Sequence, residues 1–423
     1  MIETGTYTEF SLALHNKVNS LQLPVNGTIE VTDRCPLDCA HCYNNLPMND
    51  GAARSREMTT ADLKRVMDEL AELGCIWLLL SGGEIFARHD FLEIYTYAKS
   101  KGFLVTLFTN GTMITERIAD YLVQYPPFCI EITLYGGTKE TYEALTRVPG
   151  SYEKCFRGIK LLLDRNLPLK LKTVAVSINV HELGMMQEIA DGLGLDFKYD
   201  TMMNPRIDCS QSPLAVRLSP AEIVALDLED PKRVAEWRRV AADFIPPLPD
   251  KGELGLVYSC GGGVNSFAID PYGNMTICVL SHVDEYNVKE GSVREGWETF
   301  LRGVRKKKAT RITKCTRCAL KSFCGSCAAN AELEQGDPEA PVDFLCRVAH
   351  VRAEVFDIPV PEHGDCEYCP DGSRRDEIDE TVTLVREKNF SELQAMREAI
   401  PLVQTAASSC STGTCGACSS HAQ

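Results

Sequence analysis

Three cysteines, Cys35, Cys39 and Cys42, follow one another at C-x3-C-x2-C spacing directly behind the apolar, β-branched run from Gly27 to Thr32. No other feature limits the fold of this chain as tightly, because thiols so placed on one loop after a strand are suited to holding metal. Iron-sulfur clusters are normally held by four cysteine thiolates. Three on a single loop leave one iron of a four-iron cluster for a ligand from outside the protein. A zinc knuckle draws on the same residue type, and the spacing alone leaves both readings open.

Further signals recur in order along the chain. Cys75 to Leu80 reads as a buried strand and ends in Ser81-Gly82-Gly83-Glu84, where two glycines allow a close backbone approach. Thr109-Asn110-Gly111 follows the apolar run Phe103 to Phe108. Another strand-like run, Ile130 to Gly136, carries Thr133, and Arg147 lies in a polar loop beyond it. The cysteine loop, the Gly-Gly-Glu motif and these strand ends together resemble the radical S-adenosylmethionine (radical SAM) superfamily. The resemblance implies a 4Fe-4S cluster on Cys35, Cys39 and Cys42 whose open iron chelates SAM. It further implies SAM-binding roles for Gly82, Gly83, Glu84 and Asn110, a ribose contact for Thr133 and a carboxylate contact for Arg147. His41 and Tyr43 fall where relatives approach the adenine; packing of the loop is the other reading for both, as an ordinary Gly-Gly turn is for the glycines and a solvated arginine is for Arg147.

The chain has 423 residues, 44% hydrophobic and 24% charged, enough for two or three domains of ordinary globular composition. A formal net charge of −15 argues against nucleic acid as a partner, since phosphate contacts require a basic face. The basic run Arg302 to Lys308 goes against that average and reads as a solvated helix face, with docking of an acidic peptide the other reading. No run of eighteen apolar residues and no signal-peptide pattern is apparent, so the expected location is cytoplasmic, away from membrane. Nineteen cysteines in such a compartment point to metal or redox chemistry.

After an N-terminal segment, 1–26, residues 27–205 alternate short apolar strands with amphipathic helices in six units, as βα units of a parallel sheet do. Thr59 with Asp62 forms a capping box, Leu63, Val66, Met67, Leu70 and Leu73 make one apolar face, and Gly74 ends that helix. The expected class is therefore α/β, and six units fit the partial barrel of the radical SAM family. Ligands bind at the carboxyl ends of the strands in such barrels, where Cys35, Glu84, Asn110 and Thr133 fall. Proline-rich residues 206–255 read as a bridge. From 256 to 370, Cys260, Cys278, Cys315, Cys318, Cys324, Cys327 and Cys346 follow the order of the SPASM domain, a small cysteine-rich α+β module with two auxiliary iron-sulfur clusters. Cys324 to Cys327 is one residue shorter than the usual pattern. The resemblance assigns Cys315, Cys318, Cys324 and Cys346 to one cluster and Cys260, Cys278 and Cys327 to the other, leaving the latter one ligand short. Cys209, Cys366, Cys369 and a substrate thiolate are the candidates for that place, and a pair of zinc ribbons is the alternative for the whole set.

Residues 371–423 pass from a helical segment into a stretch of Ser, Thr, Gly and Ala containing Cys410, Cys415 and Cys418. A fused peptide substrate, a ferredoxin-like iron ligand set and a disordered tail are all open. The resemblance as a whole implies a peptide-modifying enzyme that cleaves SAM reductively and forms a thioether or carbon-carbon crosslink. Its partners would be a peptide or protein substrate, including this tail, and a small electron donor such as flavodoxin or ferredoxin. Formylglycine formation in a sulfatase, a small-molecule substrate and a non-enzymatic electron carrier are the alternatives.

Overall fold

The computed structural model describes Leu14 and residues 17–243, 252–358 and 366–399. Residues 1–13 and the tail cysteines Cys410, Cys415 and Cys418 lie outside the described residues. Six parallel strands follow one another across a sheet in chain order: β1 (Asn26–Glu30), β2 (Trp77–Ser81), β3 (Leu104–Thr109), β4 (Cys129–Thr133), β5 (Leu169–Val174) and β6 (Phe197–Asp200). Their alternation explains why each is a strand. Leu78 and Leu80 of β2, Val105 and Leu107 of β3, and Ile130 and Ile132 of β4 are buried on one face. The other face carries Thr106, Phe108 and Glu131.

Helices connect successive strands. In the first connection, α1 (Thr60–Glu72) has the expected capping box: the Thr59 hydroxyl accepts from Asp62 N (3.1 Å), and the Asp62 carboxylate accepts from Thr59 N (2.9 Å). Leu63, Val66, Met67 and Leu70 are its buried face, and Gly74 ends it at φ +86°. The chain continues through α2 (Phe91–Ser100), α3 (Glu116–Gln124), α4 (Lys139–Thr146), α5 (Ser151–Leu163) and α6 (Leu183–Gly192). This is the six-unit parallel architecture expected from the repeat.

Contacts divide the chain differently from the sequence boundaries. One compact unit comprises residues 1–202 and 258–307; the other comprises 203–257 and 308–423. The reason is a strand, β7 (Ser266–Ile269), which pairs parallel to β1 from Asn26↔Ser266 to Ile29↔Ile269 and extends the barrel sheet. Antiparallel β8 (Asn274–Thr276) and β9 (Tyr286–Asn287) complete nine strands. Cys260 and Cys278 therefore belong to the sheet-bearing unit. The second unit is helical and contains α7 (Pro220–Glu229), α8 (Pro231–Asp243), α9 (Ala328–Gln335), α10 (Asp343–Val355) and α11 (Arg375–Glu387). Leu320, Phe323, Ala349, Ala353 and Phe356 pack in one of its apolar clusters. Among the described residues, no helix is long and apolar enough to cross a membrane.

Candidate active site

The cysteine loop leaves β1 at its carboxyl end. Arg34–Cys35 pairs with Leu46–Pro47, closing the loop upon itself, and the loop's outer part docks on α4 through Asp38 N to Thr146 O (3.1 Å) and Ala40 N to Leu145 O (2.9 Å). Cys35 Sγ accepts from Leu37 N (3.4 Å) and from the Asn110 side-chain amide (3.5 Å), so the end of β3 reaches the first cysteine. Burial pushes the Cys35 thiol up to about 12, and burial also raises Cys39, which hydrogen-bonds Tyr135.

Cys39 lies within electrostatic reach of both Cys42 and Cys35, so the three loop thiols are neighbours, as ligands of one metal group must be.

Glu84 is 1% exposed at the end of β2. Its Oε1 accepts from Thr109 Oγ1 (2.7 Å) and Phe86 N (3.2 Å), and its Oε2 from Thr109 Oγ1 (2.9 Å) and Asn110 N (2.8 Å). Burial raises its pKa against these hydrogen bonds. The two preceding glycines serve the chain's own backbone: a Cβ on Gly82 would lie 2.2 Å from Thr32 O, and one on Gly83 would lie 2.3 Å from Asp33 O. Gly83 N also donates to Thr32 O (2.7 Å), so the Gly-Gly step clamps the start of the cysteine loop to β2.

The remaining sequence candidates are placed unevenly. Asn110 turns its carbonyl to Thr112 and its amide to Cys35, as a bridge within the site. Tyr43 donates to Glu30 Oε1 (2.6 Å), tying the loop to β1. His41 packs against Tyr135 with ring centroids 5.6 Å apart, and burial lowers its pKa to about 4. Thr133 ends β4 opposite Lys172 of β5. Arg147 caps α4 in the left-handed region (φ 57°) and lies 3.8 Å from Asp38, largely exposed.

Sequence reading missed an acidic group around the loop. Burial, opposed by the Tyr43 hydrogen bond, raises Glu30 to about 7; burial, reinforced by Glu30, raises Asp33 to about 8. Asp270, at the end of β7, adds to both, and Tyr272 hydrogen-bonds Asp33. Asp33 adjoins the motif and was findable; Asp270 is separated from it by most of the chain.

In the helical unit, Cys315, Cys318, Cys324 and Cys346 are electrostatic neighbours, with Cys315 lowered by its hydrogen bond to Cys346. Cys327, also in this unit, accepts from Asn330 N at the start of α9 (3.4 Å).

Comparison with known proteins bears directly on this arrangement. Residues 29–191 match the radical SAM superfamily. The chain carries a radical SAM domain. It is similar to the AdoMet-dependent heme synthase of Methanosarcina barkeri, at 26% identity over 73% of this chain and 92% of the relative. It is also similar to the PqqA peptide cyclase of Rhodopseudomonas palustris, at 26% identity over 79% and 89%. In fold, it resembles Streptococcus suis SuiB bound to S-adenosylmethionine, with a TM-score of 0.58, 15% identity and 82% of each chain covered. The radical SAM domain holds Cys35, Cys39, Cys42, Glu84 and Asn110 on the ends of three successive strands, and the protein is an enzyme of that superfamily.

Proposed function

We propose that this radical SAM enzyme modifies a peptide. The observation that carries the reading is the convergence of the three loop thiols, Glu84 and Asn110 at the carboxyl ends of β1, β2 and β3, in a chain similar to a peptide cyclase over most of both lengths. A 4Fe-4S cluster on Cys35, Cys39 and Cys42, with SAM on its open iron, would supply the 5′-deoxyadenosyl radical that removes hydrogen from an unactivated carbon. The chain's own residues hold the parts in place. Leu37 N and the Asn110 amide support the sulfur of Cys35, and the Gly82–Gly83 clamp fixes the loop on β2. Glu84 receives three protein donors, and a carboxylate offers about four acceptor positions, so one position suits the SAM ammonium. Cys315, Cys318, Cys324 and Cys346 would hold an auxiliary cluster. A thioether or carbon-carbon crosslink is the proposed product, flavodoxin or ferredoxin the electron donor, and the cytoplasm the setting.

The experiment has two parts. Changing Cys35, Cys39 and Cys42 to Ala should remove about four irons and abolish reductive SAM cleavage; full cleavage in that variant would overturn the cluster assignment. Reduced wild-type protein incubated with SAM, then reduced again, alkylated and digested, should show a substrate peptide lighter by two hydrogens per crosslink. The peptide spanning Cys410 to Cys418 is the first candidate, since a tethered substrate sits at an effective concentration of about millimolar. Complete alkylation with no mass deficit excludes the tail as substrate. Similarity to the heme synthase favours a small-molecule substrate as the second reading, which deoxyadenosine production coupled to formation of heme would support.

A further inference from the structure

Among the described residues, one group of ligand atoms is spaced for a single metal ion, and it includes Cys366 and Cys369, two of the candidates for the open place beside Cys260, Cys278 and Cys327. His350 Nε2, Cys366 Sγ and Cys369 Sγ all lie within 4.8 Å of one another. The two sulfurs are 3.6 and 3.8 Å from the imidazole nitrogen. For a tetrahedral zinc ion with bonds of 2.3 Å to sulfur and 2.0–2.1 Å to nitrogen, the sulfur-nitrogen edge is about 3.6 Å. The observed separations match that edge.

The imidazole is oriented for the task. His350 Nδ1 lies 2.8 Å from Cys346 O, one turn earlier on α10. A carbonyl can only accept, so Nδ1 carries the proton and Nε2 presents its lone pair toward the two sulfurs. Metal-bound histidines are commonly fixed this way, by donating the other ring N–H to a backbone carbonyl. That one lone pair can accept a single thiol proton, whereas a metal ion engages all three ligand atoms together.

The Cys366–Cys369 turn is built as firmly as the histidine. Cys369 N donates to Cys366 O (3.2 Å), Gly372 N to Cys369 O (2.8 Å) and Arg374 N to Glu367 O (2.8 Å). A Cβ on Gly372 would meet Glu367 O at 2.2 Å, so the chain folds back directly upon the turn. Tyr368, fully buried, donates to Asp343 Oδ1 (2.7 Å) at the head of α10, and its ring lies 5.8 Å from that of His350. Lys314 reaches Glu367 (2.6 Å). His350 and Cys366 are 3% and 7% exposed, and burial of a net charge is costly. Two thiolates neutralise a zinc dication, so the assembled site adds no net charge.

We propose that His350, Cys366 and Cys369 bind a zinc ion, with water as the fourth ligand and two thiol protons released on binding. The ion fastens the Cys366–Cys369 turn to α10, the helix that also carries Cys346. This site is distinct from Cys315, Cys318, Cys324 and Cys346, and it does not depend on the reaction proposed above.

The test uses full-length, cluster-replete protein with Cys410, Cys415 and Cys418 changed to Ser, so that the tail cannot take metal. After incubation with zinc chloride and desalting, elemental analysis should find about one zinc per chain. Cys366→Ser with Cys369→Ser, and separately His350→Gln, should lose it while the iron content stays unchanged. Zinc X-ray absorption on the parent protein gives a readout independent of how the variants fold, and should show two sulfur and two nitrogen or oxygen neighbours. Zinc retained in the double variant, four sulfur neighbours, no bound zinc, or iron lost together with Cys366 and Cys369 would each overturn the proposal; the last would make these cysteines cluster ligands. Unmodified SAM-cleavage activity in the zinc-free variants leaves the proposal standing, and loss of SAM cleavage in the parent bears only on the proposed function.

Discussion

Replacing Glu84 by Gln tests the SAM-binding assignment because the two states of the carboxylate can be counted. Its oxygens accept from the Thr109 hydroxyl, Asn110 N and Phe86 N, and the Phe86 bond is the longest at 3.2 Å. A glutamine amide would turn its NH2 toward Phe86 N and keep the oxygen on Thr109 and Asn110. The fold then loses one weak hydrogen bond, about 1 kcal/mol. Bound SAM would lose a charge-assisted hydrogen bond from its ammonium, about 1.5–3 kcal/mol, or roughly 10- to 150-fold in Kd. The assay is anaerobic equilibrium dialysis with labelled SAM on parent and variant proteins of matched iron content. Thr109→Val supplies the control: it removes the hydroxyl that Glu84 accepts but leaves the negative charge, so it should affect SAM affinity less than Glu84→Gln does. A Glu84→Gln Kd within twofold of the parent, at equal iron content, would refute the reasoning and leave Glu84 as a structural tie between β2 and β3.

Gly83→Ala should destabilise the first unit by about 2 kcal/mol or more, because overpacking against backbone cannot be relieved by a rotamer change; thermal denaturation with an iron count checks this, and an unchanged midpoint would refute the clamp. Burial raises Glu30 from the ordinary 4.5 to about 7 in the folded chain. Between those pH values the unfolded chain ionises while the folded one holds its proton, so stability should fall by about 3 kcal/mol as pH rises. Glu30→Gln should abolish that part of the slope in melting curves from pH 4.5 to 7.5. Arg352 binds the fully buried Asp227 (2.8 and 2.9 Å) and Phe323 O (2.7 Å). Because Asp227 keeps Arg233 as a partner (2.6 Å), Arg352→Ala should cost about 1–3 kcal/mol in urea denaturation.

Much of the barrel was readable because its signals are local. Alternating burial sets β2 to β4 within a few residues of the expected runs, and the Thr59–Asp62 box and Gly74 bound α1 as their chemistry requires. Gly82 and Gly83 were harder to interpret. Their requirement for space is legible, but sequence does not say that the approaching backbone is Thr32–Arg34 of the chain itself. Tyr43 was read either toward adenine or as packing of the loop, and sequence did not show that its hydroxyl donates to Glu30. The placement of β7 beside β1 was missed because a cysteine count separates Cys260 from the barrel, while a short apolar run, Ser266–Ile269, joins it there. His350 gave no signal of its own: its distance to Cys366 and Cys369 depends on how the turn packs against α10.

The electrostatics of the first site give an independent reason to expect a cationic occupant. Glu30, Asp33 and Glu84, together with the thiols of Cys35 and Cys39, gather around the ends of β1 and β2, and burial raises the pKa of every one of them. The nearby arginines are already engaged: Arg34 with Glu57 and Arg88 with Asp90, each at 2.8 Å. Deprotonating three loop thiols here without a counter-charge would therefore be costly. Iron would supply that charge at the sulfurs, and the sulfonium and ammonium of SAM would supply more if SAM binds beside Glu84 as proposed. A neutral or anionic ligand in the same place would leave the carboxylates protonated. The raised pKa values thus mark a site poised to ionise as its cations arrive, so cluster assembly should release protons and proceed more readily as pH rises.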